Sequence, residues 1–186
     1  MSALQAIVKR HEVLHSLIKI SQDGVGYQLV QDIDSLPFAA EQIKVSSTAQ
    51  LKEAVHQLSA HKFRLDTAYP ILVKVFQLEE KVSDSETITA SYISIVIHHI
   101  AFDGWSAGIM MKELMCFYRH FEALEKGDVT AVAAYLPAPL LLQYRDFALW
   151  QREYLKEGRP ASQLTYWRNQ LAGYEQLQLA TDNVRP

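Results

Sequence analysis

A β-strand runs into an α-helix through Ile93-Ser94-Ile95-Val96-Ile97-His98-His99-Ile100-Ala101-Phe102-Asp103-Gly104-Trp105-Ser106. Residues 87–99 are rich in β-branched side chains, and their period of two predicts one long strand. Its two faces then carry different histidines, with His99 beside Ile97 and His98 beside Val96. Residues 106–124 predict a helix, because apolar side chains recur there at helical spacing. That apolar stripe consists of Met110, Leu114, Phe117 and Phe121.

The remaining elements follow in a mixed order of helices and strands. Asp23-Gly24 predicts a hairpin between two short strands, since glycine accepts the positive φ of a tight turn. Ser46-Ser47-Thr48 is a typical helix cap. The pattern predicts helices at 2–12, 48–61, 143–155 and 162–171, strands at 14–20, 26–30, 42–45 and 71–78, a polar loop at 81–86 and a linker at 131–139. This order favours an α/β layered fold with a mixed or antiparallel sheet.

Composition excludes several classes of protein. Of the 186 residues, 49% are apolar and 21% are charged, and the net charge of -3 is too small to indicate nucleic-acid binding. Cys116 is the only cysteine, so no internal disulfide can form and a reducing compartment is favoured. No apolar run reaches the roughly 18 residues of a membrane span, and the first residues lack the apolar stretch of a signal peptide. We therefore expect a cytoplasmic protein without a membrane partner.

The pair His98-His99 carries the chemical signal, because it stands where a strand meets a loop. A histidine near its ordinary pKa of about 6.5 can accept or relay a proton at cellular pH. Asp103-Gly104 predicts a tight turn, and the glycine would let backbone N–H groups approach a carbonyl group. A metal site is a poorer interpretation, since adjacent strand residues point to opposite faces. The remaining alternative is a hydrogen-bonded core histidine beside a turn.

Residues 98–106 resemble the HHxxxDGWS signature of condensation domains from nonribosomal peptide synthetases. Three more segments agree with that family in the same order. They are Arg10-His11-Glu12-Val13-Leu14, the run from Gln143 to Gln151, and Tyr166-Trp167 followed by Leu171 and the run from Leu179 to Pro186. The Asp-Gly-Trp-Ser form is similar to members that form peptide bonds. The resemblance implies a two-layer α/β sandwich lobe of the chloramphenicol-acetyltransferase type.

The resemblance also implies a reaction, in which an amide bond forms between a carrier-bound acyl or peptidyl thioester and a carrier-bound aminoacyl thioester. His99 would position the amine or take its proton, and donors near Gly104 would stabilise the oxyanion. We expect no metal and no intrinsic cofactor, because partner carrier proteins bring the 4'-phosphopantetheine. His98 is more structural than catalytic in this interpretation, and Asp103 holds the loop.

Trp105 and Ser106 are candidates for contact with the substrate. Packing is the simpler role for Trp105, and capping of the following helix is the simpler role for Ser106. The family's arginine and threonine after the RHExL segment are replaced here by His15 and Ser16. In the family that arginine is thought to pair with the aspartate of the signature. We expect Arg10 or His15 to take its place as a structural partner of an inward-pointing Asp103.

The resemblance places residues 1–186 in the amino-terminal lobe of such a domain, without its first strand and its carboxy-terminal lobe. The missing lobe and neighbouring synthetase domains would then be partners, and the chain alone is expected to be weak or inactive. One alternative is a stand-alone acyltransferase similar to chloramphenicol acetyltransferase, with sites between subunits. The other is an inactive lobe that acts as a binding module.

Overall fold

The computed structural model describes residues 1–34, 38–83, 87–156 and 161–175. The chain divides into two compact units, Met1–Arg145 and Asp146–Pro186. In chain order the elements are α1 (Ser2–Arg10), a 3₁₀ turn (Glu12–His15), β1 (Ser16–Ile20), β2 (Gly26–Val30), β3 (Glu41–Val45), α2 (Thr48–Ser59), β4 (Ile71–Lys81), β5 (Thr87–Ile97), α3 (Gly104–Lys126), α4 (Val129–Tyr135), α5 (Tyr144–Lys156) and α6 (Ala161–Gln170). The α/β class predicted from the sequence is confirmed.

Two separate sheets form the β structure of the first unit. β1 and β2 pair antiparallel as the predicted hairpin, and Gly24 in their turn has a φ of 75°. In the second sheet β3 pairs parallel with β4, whereas β4 pairs antiparallel with β5. The expectation of a mixed sheet is therefore confirmed.

The faces of the β3–β4–β5 sheet bury different helices. Val73 on β4 belongs to a core that also contains Ile7 from α1 and Phe117 from α3, with Ile97 packed against it. Phe76 on β4 belongs to a second core with Leu51 and Leu58 from α2, with Val96 packed against it. The predicted alternation along β5 is thus confirmed, and α2 adds a layer to the two that were expected. The four residues of the predicted α3 stripe, Met110, Leu114, Phe117 and Phe121, all lie in or against the first core.

The strand β5 ends at Ile97, two residues before the predicted boundary. The backbone N–H of His98 still donates to the carbonyl oxygen of Pro70 at 2.8 Å. Proline has no N–H to return a bond to the carbonyl of His98, so the antiparallel ladder stops there. That carbonyl instead accepts from the N–H of Ala101 at 3.0 Å and begins a turn. The prolyl partner therefore releases both signature histidines from the strand.

Other predicted boundaries also differ, and β4 for example runs to Lys81, three residues past its predicted end. Residues 14 and 15 belong to the 3₁₀ turn and not to a strand, and the hydroxyl of Ser16 donates to the carbonyl of Glu12 at the end of that turn. The predicted linker at 131–139 overlaps α4 (Val129–Tyr135), which follows an Asp128 cap that accepts from the N–H of Ala131. The prediction of a linker rested on the small residues, but the three alanines of α4 are strong helix formers.

The second unit holds an aromatic stack on α5. The rings of Phe147 and Trp150 lie 5.7 Å apart, and those of Trp150 and Tyr154 lie 5.5 Å apart. Phe147 and Trp150 nevertheless remain about half exposed. The resemblance assigned to residues 179–186 lies outside the described residues. Within the described ranges, no helix combines the length and the apolar character that a membrane crossing requires.

Candidate active site

His98 begins the loop, and its side chain contacts Phe63 and the backbone of Ile100. Its ring meets that of Phe63 edge to face at a centroid distance of 5.8 Å, and its Nδ1 accepts from the N–H of Ile100 at 3.0 Å. The acceptor role fixes the tautomer, because Nδ1 carries no proton when it accepts. His98 thus shapes the turn at 98–101.

His99 faces a different environment from His98. It is exposed, and its ring makes no hydrogen bond within the part of the chain that the structure describes. It borders a pocket of about 270 Å³ between the loop, the 3₁₀ turn and the beginning of α5. Both ring nitrogens therefore remain available for a substrate. Residues around this pocket include Val13, Ile100, Phe102, Asp103, Ser106 and Tyr144.

Asp103 caps α3. Its Oδ1 accepts from the N–H of Ser106 at 2.9 Å and from the Ser106 hydroxyl at 2.7 Å, and that hydroxyl lies 3.3 Å from the N–H of Asp103. The hydroxyl of Ser106, followed by its N–H, holds the pKa of the Asp103 carboxyl below its ordinary value, and His99 contributes in the same direction. Asp103 is therefore the cap, and the sequence prediction that Ser106 caps the helix is corrected to a reciprocal role.

The predicted brace between Asp103 and a basic side chain is wrong. Asp103 is exposed and binds Ser106, three residues away. Arg10 instead donates from Nε to Oε1 of Glu113 on α3 at 3.0 Å. His15 is 7% exposed, and its Nδ1 lies 2.8 Å from the carbonyl oxygen of Gln31. An imidazole is shorter than a guanidinium, and the carbonyl of Gln31, just after β2, gives His15 a backbone acceptor within reach.

Trp105 and Gly104 occupy open positions at the beginning of α3. Trp105 is 88% exposed, so it is not packed within the described part of the chain. A Cβ on Gly104 would meet no heavy atom within 4 Å, and its backbone lies outside the left-handed region. Neither conformation nor crowding demands glycine here. The predicted roles of Gly104, Trp105 and Ser106 towards a substrate remain predictions.

Glu113 was missed by the reading of the sequence, although it organises the neighbourhood. Its Oε1 accepts from Arg10, and its Oε2 lies 2.6 Å from Nε2 of His11. The side chain of Gln143 adds a second link, because it donates to the carbonyl of Arg10 and accepts from the N–H of Glu12. Charged side chains on a helical stripe give no sign of a partner about 100 residues away. Only the RHExL and Gln143 segments of the resemblance hinted at these contacts.

The described residues contain no cluster of side chains that would support a metal site. No group of three or more His, Cys, Asp or Glu side chains there converges as a metal would require. The two signature histidines have different neighbours, since His98 contacts Phe63 and His99 borders the pocket. The arrangement fits proton handling and hydrogen bonding to a substrate.

A family model described as Condensation domain matches residues 1–186. The chain belongs to the condensation-domain family. The resemblance read from residues 98–106 is thereby confirmed. N-(5-amino-5-carboxypentanoyl)-L-cysteinyl-D-valine synthase of Amycolatopsis lactamdurans is 30% identical over 184 residues, which cover 99% of this chain and 4% of that protein. Nonribosomal peptide synthetase kk1B of Curvularia clavata is 33% identical over 185 residues, which cover 100% of this chain and 1% of that protein.

A solved structure carries the same fold as this condensation-domain chain. The X-domain from teicoplanin biosynthesis matches with a TM-score of 0.78 and 25% identity, over 100% of this chain and 38% of that one. The chain thus spans less than two fifths of that solved domain and only a few per cent of the synthetases that it matches.

Proposed function

We propose that this chain supplies the His99 side of a site that forms amide bonds in nonribosomal peptide synthesis. The donor is an acyl or peptidyl thioester and the acceptor is an aminoacyl thioester, each on the 4'-phosphopantetheine arm of a carrier protein. The observation that carries the proposal is the position of His99 in a condensation-domain chain. Its ring borders a pocket, exposed and without a hydrogen bond in the described residues. The chain itself binds no cofactor in this proposal.

The acceptor amine attacks the carbonyl carbon of the donor thioester. A C–N bond forms, the C–S bond breaks, and the thiolate of the donor arm leaves. The nitrogen loses a proton through His99, and the departing thiolate takes one up, so the charges balance. Backbone N–H groups at the start of α3, beginning with Gly104, are the proposed donors to the oxyanion. Positioning of the two arms supplies much of the rate, up to about 7–11 kcal/mol of the barrier.

Carrier proteins and the remainder of a condensation domain are the proposed partners. Residues 1–186 form one part of the domain in this proposal, and a second part supplies the opposite wall of the groove. The short span relative to the solved X-domain supports this division. Synthetases of this kind work inside cells, so we retain a cytoplasmic location as part of the proposal.

The test measures condensation between two loaded carrier proteins. The chain joined to the second part of a condensation domain should yield product, and His99→Ala should lower the rate by about 10²–10⁴-fold. His56→Ala, which removes an exposed histidine of α2, should leave the rate unchanged. Product that does not depend on His99 would contradict the role of this residue.

The chain alone separates the alternatives. We expect little or no product from it, because the two arms lack an opposing wall. Robust, His99-dependent product from the chain alone would instead favour a self-assembling acyltransferase. No product from either form of the protein would favour a binding module.

A further inference from the structure

A second, smaller pocket lies directly beside the one that His99 borders. Its volume is about 130 Å³, and it lies between α1, the 3₁₀ turn, the 98–103 loop and the first turns of α3. The two pockets share Val13, Ala101, Phe102 and Ser106, so they adjoin each other. Apolar side chains make up most of its wall, among them Ile7, Val13, Leu14, Phe102, Ile109 and Met110.

The polar groups at this pocket are already engaged. His11 borders it, but its Nε2 lies 2.6 Å from Oε2 of Glu113. The other oxygen of that carboxylate accepts from Arg10 at 3.0 Å. The hydroxyl of Ser106 donates to Asp103 at 2.7 Å. A charged ligand group would therefore lose water here without gaining an opposite charge, whereas an apolar group would not.

The volume limits the ligand to one small side chain. An apolar cavity of about 150 Å³ accommodates a benzene ring. A pocket of about 130 Å³ therefore suits a branched aliphatic group. Ile109 is half exposed while Ile7 and Met110 are buried, so Ile109 stands on the solvent side of the pocket.

We propose that this pocket receives the side chain of the acceptor residue and selects uncharged aliphatic side chains. The inference rests on the proposed function, in which His99 binds the acceptor amine. In the acceptor, the amine and the side chain are bonded to the same carbon atom, the α-carbon. An amine held at His99 therefore places the side chain close to the adjoining pocket. Ile109 is then a residue that determines specificity.

A charge at the solvent side of the pocket tests this assignment. Ile109→Glu should lower kcat/KM for a leucyl acceptor by at least 10-fold, since even a single methylene changes kcat/KM by about 10- to 200-fold in such pockets. It should lower kcat/KM for a lysyl acceptor much less. Met111→Glu is the matched control, because Met111 is equally exposed on α3 but does not line the pocket. Circular dichroism checks that both variants fold.

A binding measurement tests the pocket independently of the condensation reaction. L-leucinamide is titrated into the 186-residue chain, with methyl NMR signals as the readout and glycinamide and L-lysinamide as comparisons. We expect L-leucinamide alone to shift the signals of Met110 and Ile7, and Ile109→Glu to weaken that effect at least 10-fold. Equal shifts from all three compounds, or shifts confined to other residues, would overturn the pocket.

The two experiments fail in different ways. If no His99-dependent product arises, the proposed function fails while leucinamide binding still decides the pocket. If product arises but Ile109→Glu lowers kcat/KM equally for leucyl and lysyl acceptors, the pocket assignment fails and the reaction stands.

Discussion

Residues 10–15 and residues 98–106 both contain two histidines, but their side chains differ in how far along the chain their partners lie and in how exposed they are. In the first segment Arg10 and His11 bind Glu113, more than 100 residues away, and His15 is buried. In the second segment Asp103 binds Ser106, three residues away, and His99 is exposed. Long-range contacts thus hold α1 against α3, whereas the loop keeps its shape through local bonds. The first segment is thus tied to α3, whereas the second leaves His99 exposed beside a pocket.

This difference explains why the loop needs no basic partner for Asp103. A reciprocal cap binds the N–H of Ser106 in the first turn of α3 and fixes Asp103 without an ion pair. His99 consequently keeps an uncrowded position beside the pocket. The contacts of Glu113 with Arg10 and His11 hold α3, the helix that follows the loop, against the end of α1.

The largest effect on stability is expected from Glu113→Ala. The side chains of Arg10 and Glu113 are each 13% exposed, so the change leaves a charge largely buried and unpaired. We expect a loss of about 3 kcal/mol in the free energy of unfolding, measured by urea denaturation. Glu122→Ala, which removes the exposed partner of Lys126, should cost no more than about 0.5 kcal/mol. Similar losses in both variants would contradict the assignment of the Glu113 contacts as the ones that hold residues 10–15 against α3.

A smaller loss is expected from His15→Ala. The change removes a buried ring and its bond to the carbonyl of Gln31, and we expect a cost of about 2 kcal/mol. The exposed His56→Ala serves as the control. In the same variant the titration of the Asp103 carboxyl, followed by NMR, should stay unchanged. A changed titration would restore the brace between the two segments and contradict the structure.

The smallest effect is expected from Asp103→Asn, and it should depend on pH. Asparagine keeps a capping oxygen but does not titrate. Because the pKa of Asp103 is lowered in the folded chain, its carboxylate stabilises the fold fully above its ordinary pKa of 3.8. This stabilisation is lost as the pH falls through the lowered pKa. Thermal melting at pH 2–7 should show a constant advantage over Asp103→Asn near neutral pH that disappears in acid. An advantage that persists at pH 2 would argue against the carboxylate as its source.

The family, the α/β class and the main elements followed from the sequence alone. Alternating β-branched residues determined β5, and an apolar stripe determined α3, because both patterns express local geometry. The Asp23-Gly24 hairpin and the Ser47 cap likewise depend on residues close together in the chain. Different surroundings for His98 and His99 were expected from the same period, but β5 ends at Ile97, before both residues.

Only the tertiary structure decided where β5 stops, which partner each basic residue takes and which pockets adjoin His99. Pro70 ends the ladder from the neighbouring strand, and Glu113 draws Arg10 and His11 away from Asp103. Such pairings join residues that are far apart in the chain, and several carboxylates compete for each cation. Their outcome depends on how helices and strands pack, which no local pattern of residues encodes.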